Sequence, residues 1–231
     1  RTPIPCINCN EKVKFLDLIN FSKNLGAKSL VTGHYIKKKK VKNEWALYVP
    51  EDKKRDQSYF LFSIKLQDLD FIDFPLGDFT KSEIRELARS MKFHLHNKAD
   101  SQDICFVPEG NYKEFIKKNI KDSIKGEIVD LQNNVIENHE GIYNFTIGQR
   151  RGLGISKEKP MYVKKIDSKH NRVVVAEKEE INSREVFVKN INYLTDIIDS
   201  NIKVRVRSTG KFLSAKIKKT DSREAIVILD Q

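Results

Sequence analysis

The chain has 231 residues, with 39% hydrophobic and 32% charged side chains, which supports a packed core and excludes global disorder. No apolar run approaches the ~20 residues that cross a bilayer, no secretory leader is evident, and three cysteines exclude a disulfide-dense secreted scaffold. A net charge of +11 points to a polyanionic partner, nucleic acid first, with a solvated basic surface as the plain alternative. Arg1 stands where a Met is expected, and an apolar strand pattern runs to Gln231, so the chain is expected to be an internal piece of a longer protein.

The first half predicts alternating helix and strand. Asn10 can cap a helix with Phe15, Leu18, Ile19 and Leu25 on one face, ended by Gly26. Ser29–Thr32 reads as a short apolar strand leading into Gly33-His34-Tyr35, and Trp45–Val49 as a second strand. Tyr59 to Leu69 is apolar at helical spacing. Thr80-Lys-Ser-Glu83 is a capping box, and Ile84, Leu87, Ala88 and Met91 line the helix behind it. Asn111 to Ile120 predicts a further helix. Near Gly126 the pattern changes: Ile128-Val129 and Val135-Ile136 flank Asn133-Asn134, a hairpin signal. From Met161 onward no helix is expected; Arg172–Ala176, Glu185–Val188, Ile202–Val206, Phe212–Ile217 and Ala225–Leu229 read as short strands of a small barrel or sandwich.

Three groups of residues carry chemistry. Cys6 and Cys9 form a C-x-x-C in loop-like composition, and Cys9 is expected just before a helix N-terminus, where thiolate is favoured. Cys105 follows Asp100-Ser-Gln-Asp103. These thiols suit persulfide or disulfide chemistry or an iron–sulfur cluster held by Cys6, Cys9 and Cys105; three buried small apolar residues are the plain alternative. No zinc site is expected, since no His has finger spacing to them. Gly33, at the end of a strand, would let a nucleotide approach the backbone, or is simply a turn glycine beside a packed His34. Basic runs form the third group: Lys37–Lys40 with Lys42, Lys53–Arg55, and seven Lys/Arg between Lys203 and Lys219. On a strand, Lys203, Arg205 and Arg207 would share one face, suiting a phosphate track or a lysine-protected edge equally. Gln149-Arg150-Arg151 is a further candidate anion contact.

Six stretches together resemble one family, the tRNA-specific 2-thiouridylases: Arg1–Asn10 with Lys14-Phe15, Thr32–Tyr35, Arg55–Leu61, Phe74–Gly77, Asp100–Phe106 and Phe145–Ile155. The resemblance implies an α/β, PP-loop ATPase (adenine-nucleotide alpha-hydrolase-like) domain over 1–120, a small central domain over 121–159 and an incomplete all-β, barrel-like domain over 160–231. The family's Ser-Gly-Gly-x-Asp-Ser loop is expected upstream of Arg1, so this piece is expected to be inactive alone and to hold ATP poorly.

The implied activity is ATP-dependent (and Mg-dependent) sulfuration of carbon 2 of the wobble uridine of tRNA. Cys105 would carry a persulfide received from a cysteine desulfurase or sulfur-relay protein. Cys9 would be the second catalytic thiol, releasing that sulfur or closing a disulfide with Cys105. Gly33 would touch ATP; Ile4, Pro5, Cys6, His34, Arg55, Asp56, Gln57, Arg205 and Val206 would contact tRNA. A cytoplasmic monomer that needs no resident metal and no membrane is implied. Ile4-Pro5-Cys6 departs from the family's Asn-Pro-Asp, placing a third thiol where a carboxylate is usual; this keeps the cluster alternative open, beside that of a residual RNA-binding piece of a split gene.

Overall fold

Helix starts early because Pro5 suits a first helical turn, where its missing N–H is not needed. In the computed structural model, α1 (Pro5–Asn8) continues without a break through a π-helical stretch, Cys9–Asp17, into α2 (Leu18–Asn24). The wider turn is visible where the Leu18 N–H reaches the Val13 carbonyl. Asn10 is therefore a mid-helix residue and not the expected cap: it is buried, and its side-chain amide donates to the Phe60 carbonyl at 2.9 Å. Phe15 and Ile19 face the core as expected, whereas Leu18 and Leu25 are exposed. Gly26, at φ +74°, ends the helix in the left-handed conformation.

The structure describes residues 4–97, 105, 107, 115, 125–195 and 201–230. The expected helix over 111–120 lies outside the described residues apart from Phe115. The chain divides into two compact units, one of Arg1–Ile4 with Ser101–Ser183, the other of Pro5–Asp100 with Arg184–Gln231.

In the second of these, β1 (Leu30–Val31) pairs in parallel with β4 (Ile72–Asp73), and β2 (Lys37–Val41) forms an antiparallel hairpin with β3 (Glu44–Tyr48). Lys42 and Asn43, both at positive φ, make the hairpin turn. Phe15, Ile19, Ile36, Leu61, Ile64, Leu69, Ile72 and Phe74 make the core; each large side chain so buried contributes about 1.5–3 kcal/mol. The helix expected over Tyr59–Leu69 is instead two single 3-10 turns, Ser58–Phe60 and Leu66–Asp68. Side chains claim the carbonyls a helix would use: Asn10 takes Phe60, Asn192 takes Phe62 and Ile64, and Lys38 takes Leu69. The apolar period is that of a wrapped core segment. Gly77 allows the Phe74–Gly77 turn to press on β2, since a β-carbon there would overlap the Ile36 carbonyl. Behind it α3 (Lys81–Ser90) begins with the expected capping box, Thr80 and Glu83 bonding reciprocally.

The other unit holds β5 (Gly126–Val129), β6 (Val135–His139), β7 (Tyr162–Asp167) and β8 (Arg172–Ala176), in the order β6-β5-β8-β7. The β5–β6 hairpin is the one expected at Asn133-Asn134. Because β8 pairs in parallel with β5, a domain boundary at 159/160 would cut between strands of one sheet. A single helical turn, α4 (Lys178–Ile181), corrects the expectation of no helix after Met161; a Glu177–Glu180 capping box makes it.

The chain then returns to the Pro5–Asp100 unit as β9 (Glu185–Lys189), β10 (Asn201–Val204), β11 (Leu213–Asp221) and β12 (Glu224–Leu229), an antiparallel sheet in the order β10-β11-β12-β9. Ala215, Ala225 and Val227 are buried on its inner face. Among the described residues no helix is long and apolar enough to cross a membrane.

Candidate functional site

Four of the sequence-predicted motifs meet within the Pro5–Asp100 unit, at the carboxyl end of β1. The helix over 5–24 presents Cys6, exposed, and Cys9, half-buried, in its first two turns. Cys9 thus lies inside the helix and not before its N-terminus. One turn further on, Lys14 and Phe15 dock against His34: the Lys14 Nζ lies 3.4 Å from His34 Nε2, and the Phe15 and His34 rings are 5.7 Å apart. Phe74 closes the pocket around His34 edge-on, with ring centroids 6.4 Å apart.

His34 itself is buried, so the structure places it beneath the surface of this site. Burial, and then the neighbouring Lys14 charge, push its pKa down from 6.5 to about 4. The imidazole is therefore neutral at pH 7. An ammonium can only donate, so Nε2 accepts from Lys14, and Nδ1–H donates to Thr32 Oγ1 at 3.0 Å. The residue between them, Gly33, is exposed; a β-carbon added to it would meet only a Leu76 methyl, at 3.6 Å. Packing does not demand glycine there, and what its missing side chain provides is an open backbone at the end of a parallel strand.

The Arg55–Leu61 segment is held by its own motif residues. Gln57 and Tyr35 bond reciprocally, the Tyr35 N–H donating to Gln57 Oε1 at 2.8 Å and the Gln57 N–H to the Tyr35 carbonyl at 3.2 Å. Asp56 accepts from the Ser58 N–H and forms an ion pair with Arg205 at 2.8 Å. That pair is buried, with side-chain exposures of 3% for Asp56 and 12% for Arg205, which decides its role as an internal tie. The Tyr59 hydroxyl adds a bond to the Val206 carbonyl, while the Val206 side chain is exposed. Arg55 is half-buried, its Nε 3.5 Å from Asp52.

Two expectations about basic surface change here. The strand carrying Lys203 ends at Val204, because Arg205 turns inward to Asp56 and Ser58; Lys203, Arg205 and Arg207 do not form one alternating stripe. In the lysine run, Lys37 bridges Glu51 and Asp78, and Lys38 donates to the Leu69 and Ile72 carbonyls and Asp73 while stacking on Trp45. The motif lysine Lys14 and the Asp56–Arg205 pair show that several of these charges serve to hold the site together.

In the other unit, Cys105 is exposed, and the Asp100–Asp103 residues before it lie outside the described residues. Ile4 is exposed as well. Gln149 braces its own loop, accepting from the Thr146 N–H and donating to the Arg151 carbonyl, which leaves Arg150 and Arg151 outermost. The cysteines form no disulfide, and among the described residues no three His, Cys, Asp or Glu side chains converge as metal ligands. Sequence reading missed the Lys14–His34 contact and the Asp56–Arg205 pair; each joins residues remote along the chain, and no local pattern signals either.

Residues 1–109 match a family model described as the tRNA methyl transferase HUP domain, and residues 113–177 one described as the tRNA methyl transferase PRC-barrel domain. The chain is 47% identical over 223 residues to the tRNA-specific 2-thiouridylase MnmA of Rickettsia canadensis, covering 94% of this chain and 61% of that protein. It is 47% identical over 201 residues to the protein of the same name from Rhizobium meliloti, covering 84% and 50%. Against that of Nitrobacter winogradskyi it is 43% identical over 237 residues, covering 99% and 59%. The chain thus spans less than two thirds of the length of these curated relatives.

Proposed function

Because this chain belongs to the tRNA-specific 2-thiouridylase family, we propose that it supplies the thiol and RNA-facing parts of an enzyme that replaces the carbon-2 oxygen of the wobble uridine of tRNA with sulfur. The observation that carries this reading is the docking of the thiol-bearing helix onto the end of β1 through Lys14, Phe15 and His34. It ties Cys9 and the open backbone of Gly33 to one rigid frame, as a reaction joining a sulfur donor to a nucleotide-activated base needs.

Gly33, where the backbone is uncovered, is the position ATP would approach; when bound, ATP supplies the activation that turns the base oxygen into a leaving group. Neutral His34 holds the Lys14 ammonium by its Nε2 and fixes the helix, acting as a positioning residue. Cys105, exposed, accepts a sulfane sulfur from a desulfurase or relay protein as Cys–S–SH. The Cys9 thiolate attacks the Cys105 sulfur; the persulfide S–S bond breaks, hydrosulfide leaves toward the base, and a Cys9–Cys105 disulfide forms. Two equivalents of an external thiol then supply the two electrons, leaving as their own disulfide, and restore both cysteines. Cys6 takes the sequence position where the family has a carboxylate. The uridine must leave its stack to react, and by resemblance to the family Ile4 and Pro5 would contact it. Cytoplasm, where tRNA and desulfurase are available, is the compartment this chemistry fits.

A longer enzyme that carries this chain together with the family's Ser-Gly-Gly-x-Asp-Ser loop, incubated with ATP, tRNA, cysteine and a cysteine desulfurase, is expected to yield 2-thiouridine at the wobble position, read by nucleoside mass spectrometry. Unmodified uridine from protein whose Cys105 carries persulfide overturns the reading.

A further inference from the structure

The segment that carries Arg55 packs beside α3, and between them runs an open groove of about 440 Å³. Its walls bring together five cationic side chains, Lys54, Arg55, Lys81, Arg85 and Arg89, against two acidic ones, Asp52 and Glu86, a net charge of +3. Asp52 is already committed to the fold: its Oδ2 accepts from the Lys81 N–H at 3.2 Å and lies 3.5 Å from Arg55 Nε, which fixes the two walls against each other.

Lys81, Arg85 and Arg89 recur every fourth residue, so they lie along one side of α3 with a rise of about 6 Å per step. Like charges at this spacing repel one another along the helix. The groove side of α3 therefore carries more positive than negative charge, and an extended anion lying along it offsets that repulsion. A row about 12 Å long suits a polymer of phosphates better than a single small anion. The lining residues are charged or hydroxylic, so the groove lacks the apolar walls of a small-molecule pocket. Two of the three stripe residues are arginines, whose forked donors match phosphate oxygens.

We infer that this groove, with α3 as one wall, is a phosphate-backbone track that carries the RNA strand onward from Arg55. The inference rests on the tRNA reading above and deepens it by assigning residues outside the motifs that support that reading. The contacts are to phosphates, so they position the RNA and add affinity without reading sequence.

The test is equilibrium binding of a fluorescent tRNA to the protein across a salt series. It compares wild type, the variant Lys81→Gln/Arg85→Gln/Arg89→Gln and the charge-matched hairpin control Lys39→Gln/Lys40→Gln/Lys42→Gln. Circular dichroism verifies that each variant is folded; if the α3 triple variant is not, the single Arg89→Gln change, at an exposed position, replaces it. The α3 triple variant is expected to lower the slope of log K against log salt by about 2, at about 0.7 for each phosphate no longer neutralised, and Arg89→Gln by about 0.7. The hairpin control is expected to change it by much less. An unchanged slope in folded α3 variants, or equal flattening by the control, overturns the track while leaving the tRNA reading intact. A wild-type protein that binds no tRNA overturns both.

Discussion

Acid should loosen the thiol-bearing unit through His34. Its folded-state pKa, about 4, lies below its ordinary 6.5, so the unfolded chain binds a proton that the folded chain refuses. Above about pH 6.5 both states are neutral and nothing is lost. As pH falls from 6.5 toward 4 stability declines, and below 4 the loss is constant. Between pH 7 and pH 5 the loss works out at about 2 kcal/mol, on a full depression worth about 3 kcal/mol. Trp45 is the only tryptophan and packs against the core that includes Phe15 and Phe74, so its fluorescence reports this unit. Urea unfolding followed by Trp45 is expected to shift its midpoint down by about 1 M between pH 7 and pH 5, for a slope near 2 kcal/mol/M. In His34→Gln that shift should largely vanish, because glutamine has no proton to take up. In Lys14→Met it should shrink, since the Lys14 charge contributes to the depression. Equal pH dependence in wild type and His34→Gln would refute the reasoning, as would an imidazole that titrates near 6.5 by NMR.

Two further perturbations test the frame around the site. Arg205→Met leaves Asp56 buried without its counter-charge and is expected to lower stability by about 3–5 kcal/mol, measured by the same Trp45 unfolding; a loss under 1 kcal/mol would return Arg205 to a surface role. Gly77→Ala forces a methyl onto the Ile36 carbonyl and is expected to cost about 2–3 kcal/mol, visible as a lower Tm; an unchanged Tm would show that the turn relaxes freely.

Much of the architecture was legible because local signals and tertiary demands agreed. The Thr80–Glu83 box, the Asn133-Asn134 turn and the alternation in β8, β9 and β12 each specify their element through near neighbours. Reading failed where distant side chains override local preference. The apolar positions of Tyr59–Leu69 imitate a helix, but Asn10, Asn192 and Lys38 take its carbonyls. Arg205 continues a strand pattern, yet the buried Asp56 carboxylate pulls it out of line. At the site, the C-x-x-C and Thr-Gly-His-Tyr motifs were visible as residues, but their connection through Lys14 and His34 depends on a contact across 20 residues. The cationic stripe of α3 was legible as a period of four, hidden because the same helix was read for its apolar face.

Sulfur transfer depends on which thiol carries the persulfide. The most direct measurement is peptide mass spectrometry, under non-reducing conditions, of protein loaded with cysteine and a cysteine desulfurase. One added sulfur atom is expected on the peptide containing Cys105. It should be retained in Cys9→Ser, where the resolving thiolate is gone, and lost in Cys105→Ser, where oxygen cannot hold the sulfane sulfur. Sulfur found on Cys6 or Cys9 with Cys105 unmodified, or loading that survives Cys105→Ser, would contradict the account.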